Sequence, residues 1–184
     1  MRKEIRALYT GDTIRVYQAY NQAIAQEAVQ NGTFGSRFCL ERMTWIKPSF
    51  LWMMYRCGWG MKENQEYILG IDIRREAFDD IVQNAVASSW NAETGIDHEQ
   101  WKEQVKRSDI RCQWDPERDV FGNPLEYRSI QLGLRGEAVR KYVTEWIVNI
   151  TDITEYVKGL RQKKEAGMDI TPLLPEEKVY ICGR

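Results

Sequence analysis

Residues 50–59, FLWMMYRCGW, are apolar on nearly every side, and the Lys47-Pro48-Ser49 step before them places a proline where a helix can start and a strand cannot continue. A helix with no polar face has to be enclosed, so the rest of the chain must supply layers around it. With 184 residues, 43% of them apolar and 29% charged, the chain can build one core, and disorder or a fibrous repeat does not fit. Residues 1–184 are therefore expected to form a single compact domain, with 166–184 peripheral.

The enclosing elements can be read from their periodicity. Thr13 to Ala19 alternates as a strand, with Ile14, Val16 and Gln18 on one face and Arg15, Tyr17 and Ala19 on the other. Asn21 caps a helix that Asn31-Gly32 stops. Residues 42–46 and 66–73 read as strands, 75–90 as an amphipathic helix, and 98–107 as an exposed helix capped by Asp97. Residues 111–114 read as a strand and 115–126 as a loop rich in turn signals. Strand 127–134 then places Tyr127, Ser129 and Gln131 on one side and Arg128, Ile130, Leu132 and Leu134 on the other. A helix over 136–145, a strand over 146–150, a helix over 151–164 and a last edge strand over 178–182 complete the reading. Strands and helices are interspersed without strict alternation, which predicts an α+β domain with a mixed or mainly antiparallel sheet and flanking helices.

Twenty-six basic and twenty-seven acidic residues give a net charge of −1, which speaks against a bulk attraction to polyanions. The distribution is uneven: residues 1–60 hold eight Lys/Arg against four Asp/Glu, and residues 61–100 hold three against nine. A local basic site in the first third is consistent with this. The cysteines, at 39, 57, 112 and 182, form no CxxC pair and are not spaced with His98 as zinc ligands, so no metal is expected and the thiols are expected to be free and buried. No signal peptide or membrane span is visible, and a reducing cytoplasm is the expected compartment. GxxxxGK[ST], GxGxxG and GxSxG are all absent, and a single histidine in DHEQWKEQ gives little footing to a Ser-His or Cys-His nucleophile.

Polar side chains inside the apolar segments carry the functional expectation. Arg15, Tyr17 and Gln18 lie in the first strand; Lys47, Ser49, Trp52, Tyr55 and Arg56 surround the apolar helix; Tyr127, Ser129 and Gln131 lie in the late strand. A buried cation needs a carboxylate, solvent or a ligand. If the helix starts at Pro48 or Ser49, then Ser49, Trp52 and Arg56 share a face and Lys47 stands at its N-terminal mouth, where unpaired N–H groups favour an anion. The plainer alternative has Lys47 solvated, Ser49 capping and Arg56 paired with an acid such as Glu41. Seven tryptophans, at 45, 52, 59, 90, 101, 114 and 146, offer stacking surfaces as well as core.

The stretches TIRVYQAYN, ERMTWIKPSFLWMMYRCGW, QWDPERD, YRSIQLGLRGEAV and EWIVNITDIT resemble those of a bacterial and fungal family catalogued as domain-of-unknown-function family 4291, from about residue 2 to residue 154. That resemblance implies one intracellular domain and no particular reaction. A second similarity, of pattern only, is to the ADP-ribosyltransferase superfamily, where a first-strand Arg, a Ser or Tyr in a middle segment and a Glu or Gln on a late strand surround NAD. It implies Arg15, Ser49 (or Tyr55) and Gln131 as the catalytic set, Arg15 or Lys47 on the diphosphate, and Tyr17 or Trp52 against nicotinamide. Arg56, Tyr127 and Ser129 complete the expected lining. Cleavage of the nicotinamide–ribose bond passes through an oxocarbenium-like state that needs neither metal nor histidine. Gln131 departs from a glutamate in that role, because an amide is no base. The competing expectation is a non-enzymatic module that binds a nucleotide or single-stranded nucleic acid with the same Arg, Lys, Trp and Tyr groups.

Overall fold

The computed structural model describes residues 1–183. Ten strands run in the order β1 (Arg2–Lys3), β2 (Arg6–Ala7), β3 (Thr13–Tyr20), β4 (Thr44–Ile46), β5 (Tyr67–Arg74), β6 (Val86–Ala87), β7 (Ile110–Arg118), β8 (Pro124–Leu134), β9 (Ile147–Asp152) and β10 (Lys178–Val179). The α-helices are α1 (Gln22–Asn31), α2 (Phe50–Cys57), α3 (Arg75–Gln83), α4 (His98–Arg107), α5 (Gly136–Lys141) and α6 (Thr154–Glu165). One sheet has the order β1-β8-β7-β6 with β4 also on β8, a second has the order β3-β5-β9, and β10 pairs with β2. The β7–β8, β4–β8, β3–β5 and β5–β9 pairings are antiparallel, whereas β1–β8 and β6–β7 are parallel. The domain is α+β with mixed sheets, as its interspersed elements predict.

The alternating residues of the two larger sheets meet in one core. Ile14 and Val16 of β3 and Leu69, Ile71 and Ile73 of β5 share a buried cluster with Ile130, Leu132 and Leu134 of β8. A smaller cluster encloses α2: Phe50, Met53, Met54 and Cys57 join Tyr17, Ile68, Val157 and Leu160. The enclosure is incomplete, because Tyr55 and Arg56 on the last turn of α2 are exposed. A backbone link runs between the two sheets, the Tyr17 N–H donating to the Lys47 carbonyl at 2.8 Å. It holds the start of the α2 segment against β3.

Several boundaries depart from the sequence reading. Helix α3 ends at Gln83, and the Val86–Ala87 step expected inside it forms β6 on β7 instead, a tertiary pairing that outweighs the local periodicity. Strand β7 runs on through 115–118, which the turn signals placed in a loop. Pro116 is tolerated there because β6 covers only Arg111 and Cys112, leaving an open edge, and the pairing shifts between Pro116 and Arg118. The tail is not peripheral: Ile170 and Tyr180 are buried, and the Tyr180 N–H donates to the Ile5 carbonyl at 2.8 Å. Cys39 is exposed and Cys112 and Cys182 are half-buried, so only Cys57 matches the expectation of a buried thiol.

Arg15 was expected in a binding site and is instead a strut of the second sheet. Its Nε and Nη2 donate to Asp72 Oδ1 and Oδ2 at 2.6 and 2.7 Å, a bidentate pair across the β3–β5 register. The guanidinium lies over Gly70, where a Cβ would stand 2.6 Å from Nη1, so glycine is what admits it. Arg15→Ala should lower the free energy of urea unfolding, and a double-mutant cycle with Asp72→Ala should return a coupling of about 1–3 kcal/mol. A coupling near zero would mean that the pair does not hold the sheet.

Candidate functional site

The cleft is built on the face of β7 and β8 that turns away from the core. Antiparallel register sets Gln113 opposite Gln131 and Asp115 opposite Ser129, so one face carries a strip of polar side chains. Asp115 sits in its middle, with Oδ1 accepting from Gln113 Nε2 at 2.9 Å and Oδ2 from Gln131 Nε2 at 2.8 Å. Gln113 Oε1 accepts from the Ser88 hydroxyl at 3.4 Å. Further along the strip Glu117 is buried. Burial pushes its carboxyl upward, and hydrogen bonds from the Arg118 N–H and the Ser49 and Ser129 hydroxyls draw it back.

Helix α2 crosses the buried end of this strip, and its first turn is satisfied from inside the protein. Ser49 Oγ accepts from the Trp52 N–H at 3.1 Å, and Glu177 Oε1 accepts from the Phe50 N–H at 2.7 Å. The helix mouth expected to receive a ligand anion is thus filled by the Glu177 carboxyl of the chain's own tail. Burial raises the Glu177 carboxyl to about 8 against the Phe50 hydrogen bond, and Glu117 adds to the rise.

Lys47 does not stand in solvent beside that mouth. It is 6% exposed, its Nζ lies 3.4 Å from the Trp45 carbonyl and 5.4 Å from the centre of the Trp52 ring, and among the described residues no carboxylate pairs with it. Burial, and after it the charge of Arg56, lowers its ammonium to about 8. It opens on a cavity of about 1070 Å³ between α2, the polar strip, the end of β3 and the segment around 37–45. Small-molecule pockets span roughly 300–1,000 Å³, so this one has room for a dinucleotide. Arg37, Arg42, Arg56 and Arg118 also line it, none of them in an ion pair among the described residues, whereas Asp115 is its only carboxylate. Glu41, the acid expected on Arg56, faces Arg140 at 3.7 Å. Arg118 stacks on Tyr55 at 4.0 Å from ring centre, and its buried Nε has no partner. Trp45, Trp52, Tyr20 and Tyr55 supply aromatic wall.

Of the side chains expected to converge, Lys47, Trp52, Arg56 and Gln131 do, together with Tyr55. The others do not line the cavity. Arg15 leaves the opposite face of β3 toward Asp72. Tyr17 is buried edge-on to Phe50, 5.5 Å between ring centres, and serves through its backbone. Ser49 and Ser129 are buried toward Glu117, and Tyr127 stands near Glu117 and Arg6. Asp115, Gln113, Arg118, Arg37 and Arg42 are the residues that sequence reasoning missed. The visible signal was the cation excess of residues 1–60; Asp115 was hidden by the apparent loop around Pro116.

Among the described residues no three His, Cys, Asp or Glu side chains gather as metal ligands, and no helix is long and apolar enough to cross a membrane. One family model, described as "Domain of unknown function (DUF4291)", matches residues 4–180. No curated protein and no solved structure matches the chain.

An unpaired buried ammonium works against folding. The Lys47 pKa is lower in the folded than in the unfolded chain, so its penalty is complete below about pH 8 and is relieved as pH rises toward the unfolded value of 10.5. Lys47→Met should therefore be more stable than the unsubstituted protein at neutral pH, by roughly 1–3 kcal/mol, with the difference shrinking toward zero near pH 10. Chemical denaturation across that range checks it, and a variant less stable at neutral pH would contradict it.

Proposed function

The chain belongs to the DUF4291 family, and from the chemistry of its cleft we propose that it is an ADP-ribosyltransferase-like enzyme that binds NAD there. The observation that carries this reading is the charge pattern: Arg37, Arg42, Lys47, Arg56 and Arg118, without carboxylate partners among the described residues, surround a single carboxylate, Asp115, that two glutamine amides hold in place. The cations suit a diphosphate, and Trp45, Trp52 and Tyr55 suit nicotinamide or adenine. The lone carboxylate suits a charge that develops only during reaction. As the C1′–N bond breaks and nicotinamide leaves with the bonding pair, positive charge grows on the ribose; Asp115 faces it, and the Gln131 carbonyl accepts from a ribose hydroxyl. An acceptor nucleophile then attacks C1′ and gives its proton to Asp115 or to water. In this scheme Arg15 and Ser49 have no place, and Asp115 supplies the negative charge that Gln131 lacks.

NAD should quench tryptophan fluorescence saturably, and nicotinamide should be released with ADP-ribose appearing on an acceptor or on water. Asp115→Asn should leave the quenching intact and slow release by about 10²-fold or more. No saturable quenching at any NAD concentration, or quenching without release of nicotinamide, would overturn the reading.

A second reading, a non-enzymatic binder of nucleotides or single-stranded RNA, is favoured by the exposure of Arg37, Arg42, Arg56 and Tyr55 at the rim. It calls instead for steeply salt-dependent RNA binding, with a log–log slope of about −0.7 per phosphate contacted. Quenching by RNA, and none by NAD, would select it.

A further inference from the structure

We infer that the Lys47 ammonium is the inner seat for a ligand phosphoryl group, and that seating this group draws a proton into the protein. The inference rests on reading the cleft as an anion site, not on bond cleavage. Its geometric basis is the mismatch at Lys47. The side chain is 6% exposed, its one hydrogen-bond partner among the described residues is a carbonyl at 3.4 Å, the Trp52 ring faces it at 5.4 Å, and it opens into the cavity. A buried ammonium in that setting lacks a counter-ion, and the seat it would otherwise share, the first turn of α2, is closed by Ser49 and Glu177. An incoming phosphoryl group therefore finds its cation at Lys47 and not on the helix.

The groups that face Lys47 decide how its charge responds. The charge of Arg56 on α2 repels its proton. Cys57 and, after it, Asp115 on β7 favour its charged form, while burial pushes the Cys57 thiol up. Near pH 8 the amine is thus divided between its neutral and charged forms, and an anion bound beside it favours the charged form. Guanidinium groups cannot do this, so Lys47 makes anion affinity pH-dependent in a pocket whose other cations are fixed.

The test uses ADP-ribose, whose two phosphodiester charges do not titrate near neutrality, with the full chain. Titration calorimetry in two buffers of different ionisation heat, at about pH 8.5, should show net uptake of a proton on binding, and affinity should fall about tenfold per pH unit well above pH 8. Lys47→Arg should keep the affinity and lose both the uptake and the pH dependence; Lys47→Gln should lose most of the affinity. Flat affinity with no uptake in the unsubstituted protein would overturn the inference, as would unchanged binding by Lys47→Gln. The two readings fail separately. Proton-linked binding of ADP-ribose without nicotinamide release from NAD removes the transferase and leaves the seat, whereas release from NAD with pH-independent binding does the reverse.

Discussion

The closure of the first turn of α2 from within is the constraint from which the cleft follows. Phe50 and Trp52 present N–H groups that no helix can satisfy by itself, and the fold answers them with Glu177 and Ser49. The Glu177 carboxyl reaches the Phe50 N–H because β10 pairs with β2 and Tyr180 is tied to Ile5, so the last residues of the described chain are bound to the first. With its N-terminus buried, α2 lies across β7 and divides the polar strip. Glu117 and Ser129 fall beneath the helix, and Asp115, Gln113 and Gln131 stay in the open. Without that closure Lys47 would be an ordinary lysine at an exposed helix end.

Two electrostatic regimes result, separated by a single helix. Beneath α2 burial raises the Glu117 and Glu177 carboxyls, with the charge of Glu117 adding to the rise at Glu177, and hydroxyl and amide donors draw them back. In front of it an excess of cations has no such compensation. At the rim this costs little, because exposed guanidinium groups are hydrated and salt screens them over about 10 Å. At Lys47 it costs more, because the ammonium is buried and the ring of Trp52 is a weak substitute for an anion.

Much of the fold was legible in the sequence. The faces of β3 and β8, the caps Asn21, Ser49 and Asp97, and the α+β class follow from period and capping chemistry, which are local. The site was legible in part, for a physical reason. Alternation assigns Arg15 and Gln18 to opposite faces but does not say which face meets a cavity, and the answer depends on Asp72, which lies 57 residues away. Lys47, Trp52 and Arg56 were recognisable because one apolar segment carries all three. Asp115 required knowing that β6 stops short of Pro116, a property of sheet edges that no window of sequence contains. The anion seat at the helix mouth was a sound expectation from backbone physics, and a carboxylate of the same chain already meets it.

The arrangement leaves the cleft with a counter-ion deficit, and the cleft has a shape. A surface excess of arginine would attract any polyanion. Lys47 instead lies at the inner end of a walled cavity, with Arg118 packed on Tyr55 nearer the opening and Asp115 fixed between two amides. A ligand that neutralises the cations must therefore bring negative charge to Lys47, and must tolerate a carboxylate beside its neutral portion. A bare polyphosphate meets the first condition and is repelled by the second. A nucleotide with a sugar hydroxyl for Asp115 and a flat ring for Trp45 or Trp52 meets both, because its charge and its hydrogen-bond donors are separated along its length.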